Sequence, residues 1–445
     1  MSGPFVGLQM GAEPFFAQPP AAIFDRLSER AGVTSVQVNA YDYYGWNQAK
    51  GTSPVHVRWN PDRYRGIGFA QAETPHLAHA GRDVFDEIIP AAAERGISVH
   101  ARILEGFRPA TSQLIPGFAQ VLQVDAEGRR THLPCWNHPA YRAWWLATVE
   151  DLIREHPLDG LLLGPERDGP LGPLLHDAVV PGCFCPHCEH RARADGVDPR
   201  RAREGMLALR DLIAADVVPG EGMSAAIMRC YLRFPEILHW ERLQAEAKWS
   251  LHAEIAGLAR TLRPGFRVGL HICMYSLSWD LTARATTDYA MLAGIFDYLK
   301  PSTYWDVNHA RLARWIPKAQ RTCFKGLSAE TIYRVLLEGF GHEPADEPEW
   351  MSLAQARCSP AWIRREVARC VAAADGRAAV YSGIGIDVPH PDLPPVDPAD
   401  IEASVAASFA GGADGLLLSR EYEFMRDGSL DAVGRAVARQ RQDAA

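Results

Sequence analysis

One eight-residue run occurs twice in this chain, and the repeat restricts the fold more than any other feature. Asp159-Gly-Leu-Leu-Leu-Gly-Pro-Glu166 is matched at six of eight positions by Asp414-Gly-Leu-Leu-Leu-Ser-Arg-Glu421. Each copy follows a helix-like stretch and reads as a turn into a buried parallel strand that closes on a carboxylate. Six further runs of apolar and β-branched residues fit the same pattern, starting at Phe5, Ser35, Ile97, Arg267, Phe296 and Ala378. Helical periodicity fills the gaps at 20–30, 83–95, 141–155, 244–262, 288–294, 361–374, 400–410 and 429–441. Eight strand-then-helix units predict an α/β chain folded as a single (β/α)8 barrel over 1–445. The helix-to-strand returns are tight, with turn residues such as Gly32, Gly96 and Gly265. The strand-to-helix loops at 41–81, 105–138 and 166–205 are long, so loop length gathers on the C-terminal face, where such barrels place their sites. The fourth loop, 165–240, counts as an insertion carrying a C-x-C-x-x-C run.

Length alone would suggest about three domains at roughly 150 residues each, but a closed barrel holds 445 residues around one core. The net charge of -8, with both signs interspersed, argues against a nucleic-acid groove, and no window approaches the roughly 20 apolar residues of a membrane span. The N-terminus lacks a basic stretch followed by an apolar one, so no secretory signal is expected. Of nine cysteines, Cys230, Cys273, Cys323, Cys358 and Cys370 stand singly in apolar or helical contexts. They read as core thiols of a cytoplasmic, reducing compartment.

Strand parity points to a polar lumen. Alternate residues of a barrel strand face the lumen and the helix shell. One parity is apolar, as in Val36 and Val38. The other carries Gln9, Asn39, His100, Arg102, His271, Ser302, Tyr304 and Asp387. Burying these groups is costly unless they are hydrogen-bonded or used. Glu166 and Glu421 close strands four and eight, and Asp387 closes strand seven. Two carboxyl groups across a sugar-sized gap suit glycosidic cleavage, one protonating the leaving oxygen and the other attacking carbon or activating water. Glu166 is the expected proton donor, Asp387 its partner and Glu421 the reserve. Asn39, Tyr41, Trp46, Arg102, His271 and Tyr304 are the expected substrate contacts, because aromatic rings stack on the C–H faces of sugars while polar neighbours bind hydroxyls. Glu13, just past strand one, is a weaker extra carboxylate. No glycine-rich phosphate loop and no G-x-S-x-G elbow is present.

Cys183, Cys185 and Cys188 have the spacing to fill three corners of a zinc tetrahedron. Cys135 is the best fourth ligand, with His187 or His190 as rivals. A closed loop site of this kind would be a structural zinc.

The run from Cys135 through Glu166, followed by Cys183-Phe-Cys-Pro-His-Cys188, resembles a group of bacterial glycoside-hydrolase-like barrels and is more distantly similar to glycoside hydrolase family 42 β-galactosidases. The resemblance covers residues 130–190 and implies Glu166 as acid/base, with Cys135, Cys183, Cys185 and Cys188 as zinc ligands. It departs from family 42 in having Pro165 before Glu166 where that family has asparagine, and Asp387 where it has a glutamate. No counterpart of that family's trimerisation and C-terminal β domains is expected in these residues. The expected function is therefore a glycoside hydrolase acting on a carbohydrate or glycoconjugate, with no nucleic-acid or membrane partner and self-association left open. Three alternatives stand beside it. One is a metal-dependent lyase or isomerase using His100 and His271; another is a non-catalytic sugar-binding barrel. The third is an inverting sialidase-like site using Glu13, His138 and Arg102.

Overall fold

A computed structural model describes residues 4–419 and 422–443. Eight parallel strands close into a barrel: β1 (Phe5–Met10), β2 (Ser35–Tyr41), β3 (Ser98–Leu104), β4 (Gly160–Gly164), β5 (Arg267–Ile272), β6 (Tyr298–Pro301), β7 (Ala379–Ser382) and β8 (Gly415–Leu418). They lie side by side in chain order, and β8 pairs back onto β1 with Phe5 opposite Gly415. The chain is thus a (β/α)8 barrel, and β4 and β8 stand on opposite sides of its mouth.

The repeated Asp-Gly-Leu motif has a structural cause. Near the start of a barrel strand the N–H of the second residue needs a partner, and the aspartate that leads into the next strand supplies it. Asp159, just before β4, accepts from Val99 N at 2.7 Å, and Asp414, just before β8, accepts from Val380 N at 2.8 Å. Asp297 does the same for Val268 N at 2.7 Å. The glycine that follows admits a close neighbour: a Cβ on Gly160 would stand 2.3 Å from Arg267 O and 2.6 Å from the His100 ring.

Leu162, Tyr298, Tyr381 and Leu417 close the lumen floor. Above them the polar parity faces inward: Lys300 Nζ donates to Gln9 Oε1 at 2.7 Å and to Ser419 Oγ at 2.9 Å. The apolar parity packs on the helix shell in one large core.

The loop after β4 is an α-helical insertion, with helices Leu171–Asp177, Pro186–Ala194, Pro199–Ala214 and Met223–Arg233 before the long helix Glu236–Leu262. A second core, including Leu174, Phe184, Met206, Leu209 and Trp240, holds it together. An antiparallel ribbon in the loop after β3 (Leu122–Val124 with Arg130–Pro134) is sewn to it, Phe184 N donating to Val124 O at 2.7 Å. No helix among the described residues is long and apolar enough to cross a membrane.

Candidate active site and cysteine cluster

The barrel mouth opens into a cleft of about 850 Å³ whose walls include Glu13, Asn39, Asp42, Tyr44, Arg102, Glu166, His271, Cys273, Tyr275, Trp279 and Tyr304. Of the residues expected from sequence, Glu166, Asn39, Arg102, His271 and Tyr304 meet here. Arg102 donates to Asn39 Oδ1 at 3.2 Å, tying the third strand's cation to the second strand's amide.

Glu166 leaves β4 two residues past its end, with its side chain 12% exposed. Its Oε1 lies 3.3 Å from His271 Nε2, and its Oε2 accepts from the Cys273 thiol at 3.1 Å. Burial and the nearby Glu166 carboxylate push the Cys273 thiol well up, so it stays protonated and remains a donor. His271 Nδ1 faces Lys300 Nζ at 3.2 Å and Ser302 Oγ at 3.2 Å. With a charged Lys300, which can only donate, Nδ1 would accept and Nε2 would carry the imidazole proton toward Glu166. Lys300 was not anticipated from the sequence, although it shares its parity with Ser302 and Tyr304. Cys273 is the buried free thiol expected from the sequence, and its sulfur also reaches the carboxylate.

Arg167, adjacent in sequence, turns away from Glu166. Its guanidinium stacks 3.8 Å from the Trp136 ring and donates to Glu105 Oε1 at 2.7 Å. The same oxygen accepts from Trp136 Nε1 at 2.6 Å and from the Tyr141 hydroxyl at 2.7 Å. Burial would push the Glu105 carboxyl up, but Arg167, His252 and Tyr141 together hold it below the usual carboxylate range. Replacing Arg167 by methionine leaves a buried charge unpaired and should cost about 3–5 kcal/mol in denaturant unfolding at pH 7. Because the folded value of Glu105 is depressed, its contribution is present above about pH 4 and fades as pH falls through the folded value. The gap between wild type and Arg167→Met should therefore narrow in acid.

Three expected site residues stand elsewhere. Asp387 is not among the residues that line the cleft, and Arg426 holds it through its backbone N (3.0 Å), Nε (3.1 Å) and Nη2 (2.7 Å). Its φ of 53° is left-handed and sits at a bend, a conformation that aspartate tolerates better than most residues. Asp387→Asn should accordingly lower the thermal midpoint by a few degrees, as losing a charge-assisted pair worth about 1.5–3 kcal/mol does, while moving turnover less than about tenfold. Tyr41 is also turned out of the cleft. A register shift between Asn39 and Tyr41 breaks the alternation that would have aimed it inward, and its ring lies against Tyr43, centroids 6.0 Å apart. Trp46 is buried within the same loop, its indole N–H on Thr52 O. Glu421 lies outside the described residues. His100 sits low in the barrel on the Tyr298 hydroxyl (3.2 Å), and burial pushes its imidazole down to about 3. It is in none of the clusters of three or more ligating groups among the described residues.

Cys135, Cys183, Cys185 and Cys188 converge as four buried free thiols with all sulfurs within 4.8 Å of one another. Cys135 Sγ lies 3.5 Å from Cys185 Sγ and 3.4 Å from Cys188 Sγ. Four sulfurs around zinc at about 2.3 Å stand about 3.8 Å apart, so the cluster is compatible with a zinc site. Asn137 Nδ2 donates to Cys188 Sγ at 3.3 Å, the kind of outer hydrogen bond that steadies a thiolate ligand.

No protein-family model matches the chain, and no curated protein matches it. Among solved structures it is similar to the α-L-fucosidase isoenzyme 2 from Paenibacillus thiaminolyticus (15% identity, 100% of this chain and 50% of that one, TM-score 0.50). It is also similar to the β-galactosidase from the psychrophilic Marinomonas ef1 (11%, 99% and 60%, TM-score 0.54) and to the cold-adapted β-galactosidase from Rahnella sp. R3 (17%, 100% and 56%, TM-score 0.50). The chain spans 50–60% of the length of these proteins. The likeness is one of fold, that of a (β/α)8 barrel.

Proposed function

We propose that the chain is a glycoside hydrolase acting on a carbohydrate or glycoconjugate, with Glu166 as its acid/base group. The observation that carries this reading is the setting of Glu166 at the end of β4: a cleft-lining carboxyl whose nearest partners are an imidazole and a thiol, with the adjacent arginine drawn off to Glu105. A thiol and an imidazole ring orient the carboxyl without the paired hydrogen bonds by which a guanidinium would hold it in its anionic form. Closure of a sugar over it would exclude water from the site of proton transfer. The counterpart carboxylate we assign to Glu421, three residues past β8, because β4 and β8 face each other across the mouth and Asp387 is engaged by Arg426. Asn39, Arg102 and Tyr304 would bind hydroxyls, and Trp279 and Tyr275 would supply ring faces.

In this reading the four cysteines hold a structural zinc. Four thiolates leave no open position for substrate, so the ion would clamp the insertion to the loop that carries Trp136. A panel of aryl glycosides assayed with wild type and Glu166→Gln tests the proposal. Hydrolysis that the variant loses supports it; sugar binding without turnover in either protein would make the barrel a binding module.

A second reading rests on one observation: ligating atoms of Glu166, His271 and Cys273 lie within 4.8 Å of one another. Such a set could hold a divalent cation for lyase or isomerase chemistry. It requires activity that EDTA abolishes and added Mn²⁺ restores.

A further inference from the structure

The cleft wall beyond β1 and β2 contains a second group of ligating side chains that the glycosidase reading does not use. Glu13 opens the short helix Glu13–Ala17, Asp42 directly follows β2, and His56 lies on the segment that returns along β2. The backbone of His56 is pinned on both sides, its N–H on Ala40 O at 3.0 Å and its carbonyl accepting from Val84 N at 2.8 Å. One ligating atom from each of the three residues lies within 4.8 Å of the others.

His56 is 1% exposed, yet neither of its ring nitrogens has a hydrogen-bond partner, and Glu13 Oε1 is buried and equally without one. An imidazole always carries at least one group that must be satisfied, and leaving it unmade in the interior costs about 1–3 kcal/mol. Donors on opposite sides of an ion bonded at about 2.1 Å stand about 4.2 Å apart, too far for a hydrogen bond and close to the span of this group. Asp42 Oδ1 accepts from Gly45 N at 3.0 Å, which fixes the carboxylate plane. Glu13 and Asp42 also line the cleft, so an ion could reach them from solvent.

We propose that Glu13, Asp42 and His56 form a binding site for a divalent first-row transition cation on the cleft wall. One imidazole with two carboxylates suits manganese, iron or zinc, whereas magnesium and calcium favour oxygen alone. Lys50 is the built-in competitor. Its Nζ stands 2.9 Å from Asp42 Oδ2 and 3.9 Å from Glu13 Oε1, and its side chain is partly exposed, so an arriving ion displaces an ammonium from the same two carboxylates.

The test is a Mn²⁺ titration of the full chain, followed by manganese electron paramagnetic resonance, after loading with one equivalent of zinc, which the four thiolates take in preference to an N/O site, and dialysis to remove any excess. One saturable Mn²⁺ per chain is expected. His56→Gln and Asp42→Asn should each weaken it by about tenfold or more, as loss of a ligand does, and Lys50→Met should tighten it by about tenfold. Glu166→Gln should leave it unchanged, which separates this site from the Glu166, His271 and Cys273 group and from the glycosidase reading. No saturable binding, binding that survives both ligand substitutions, or an affinity that Lys50→Met does not move would each overturn the proposal. Should His56→Gln fail to fold, the solvent-facing Lys50→Met still decides it, because a buried water bridging the three side chains would not respond to that change.

Discussion

Glu166→Gln is expected to lower turnover of a glycoside with a poor leaving group by two orders of magnitude or more, the usual loss when a positioned general acid is removed. Substrates with an activated aryl leaving group need less protonation and should lose far less, so the ratio between the two substrate classes isolates the proton-transfer step. Glutamine keeps the shape of the side chain and can still accept from the Cys273 thiol, so the site geometry survives the change. Equal losses on both substrate classes would remove Glu166 from the acid/base role.

The barrel was legible because its signal is global. Eight apolar runs had to pair, and the Asp-Gly-Leu repeat marked two of them through a strand-start contact that a sequence displays as conserved spacing within one chain. The helices between β6 and β7 were less legible. Asn308–Ala319 begins on Val307 without a side-chain cap and contains Pro317, so it lacks the start signal and carries a breaker. Ala329–Gly339 does have a Ser328 cap, and its absence from the expected helices has no such excuse. Within the insertion, short helices are ordered by their own core, which depends on contacts between segments far apart in sequence.

The site was legible where regular strand geometry set it and illegible where that geometry breaks. Asn39, Arg102, His271 and Tyr304 follow from alternation. Tyr41 obeys the same count but sits beyond the register shift that turns it into the shell, and a bulge has no reliable signature in a run such as Ser35–Tyr41. Lys300 could have been found, since it alternates with Tyr298 and Ser302; a lysine simply does not look like a lumen residue until four polar groups converge on it. Asp42 and His56 come from an irregular loop whose path only the folded backbone defines. Their proximity to Glu13 therefore left no trace in spacing.

Cys135→Ser is expected to reduce bound zinc from about one per chain to near none by elemental analysis and to lower the thermal midpoint by roughly 5–10 °C, given that structural zinc contributes its binding free energy to folding. Cys135 is the informative member because it comes from the loop after β3, whereas the other three lie within six residues of one another in the insertion. Its sulfur joins two segments that also meet through the ribbon, Phe184 and the hydrogen bond from Arg191 to Asn137. The next residue, Trp136, donates to Glu105 and carries Arg167 on its ring face. Releasing the clamp should therefore loosen the pairing that keeps Arg167 off Glu166. Cys135→Ser refolded with excess zinc is expected to show impaired turnover together with increased proteolysis across the 165–240 insertion, while the barrel's far-ultraviolet circular dichroism stays close to wild type. A variant that keeps full zinc content would show that the fourth ligand is another group, and one that loses zinc with no change in insertion proteolysis would separate the ion from the stability of the loop.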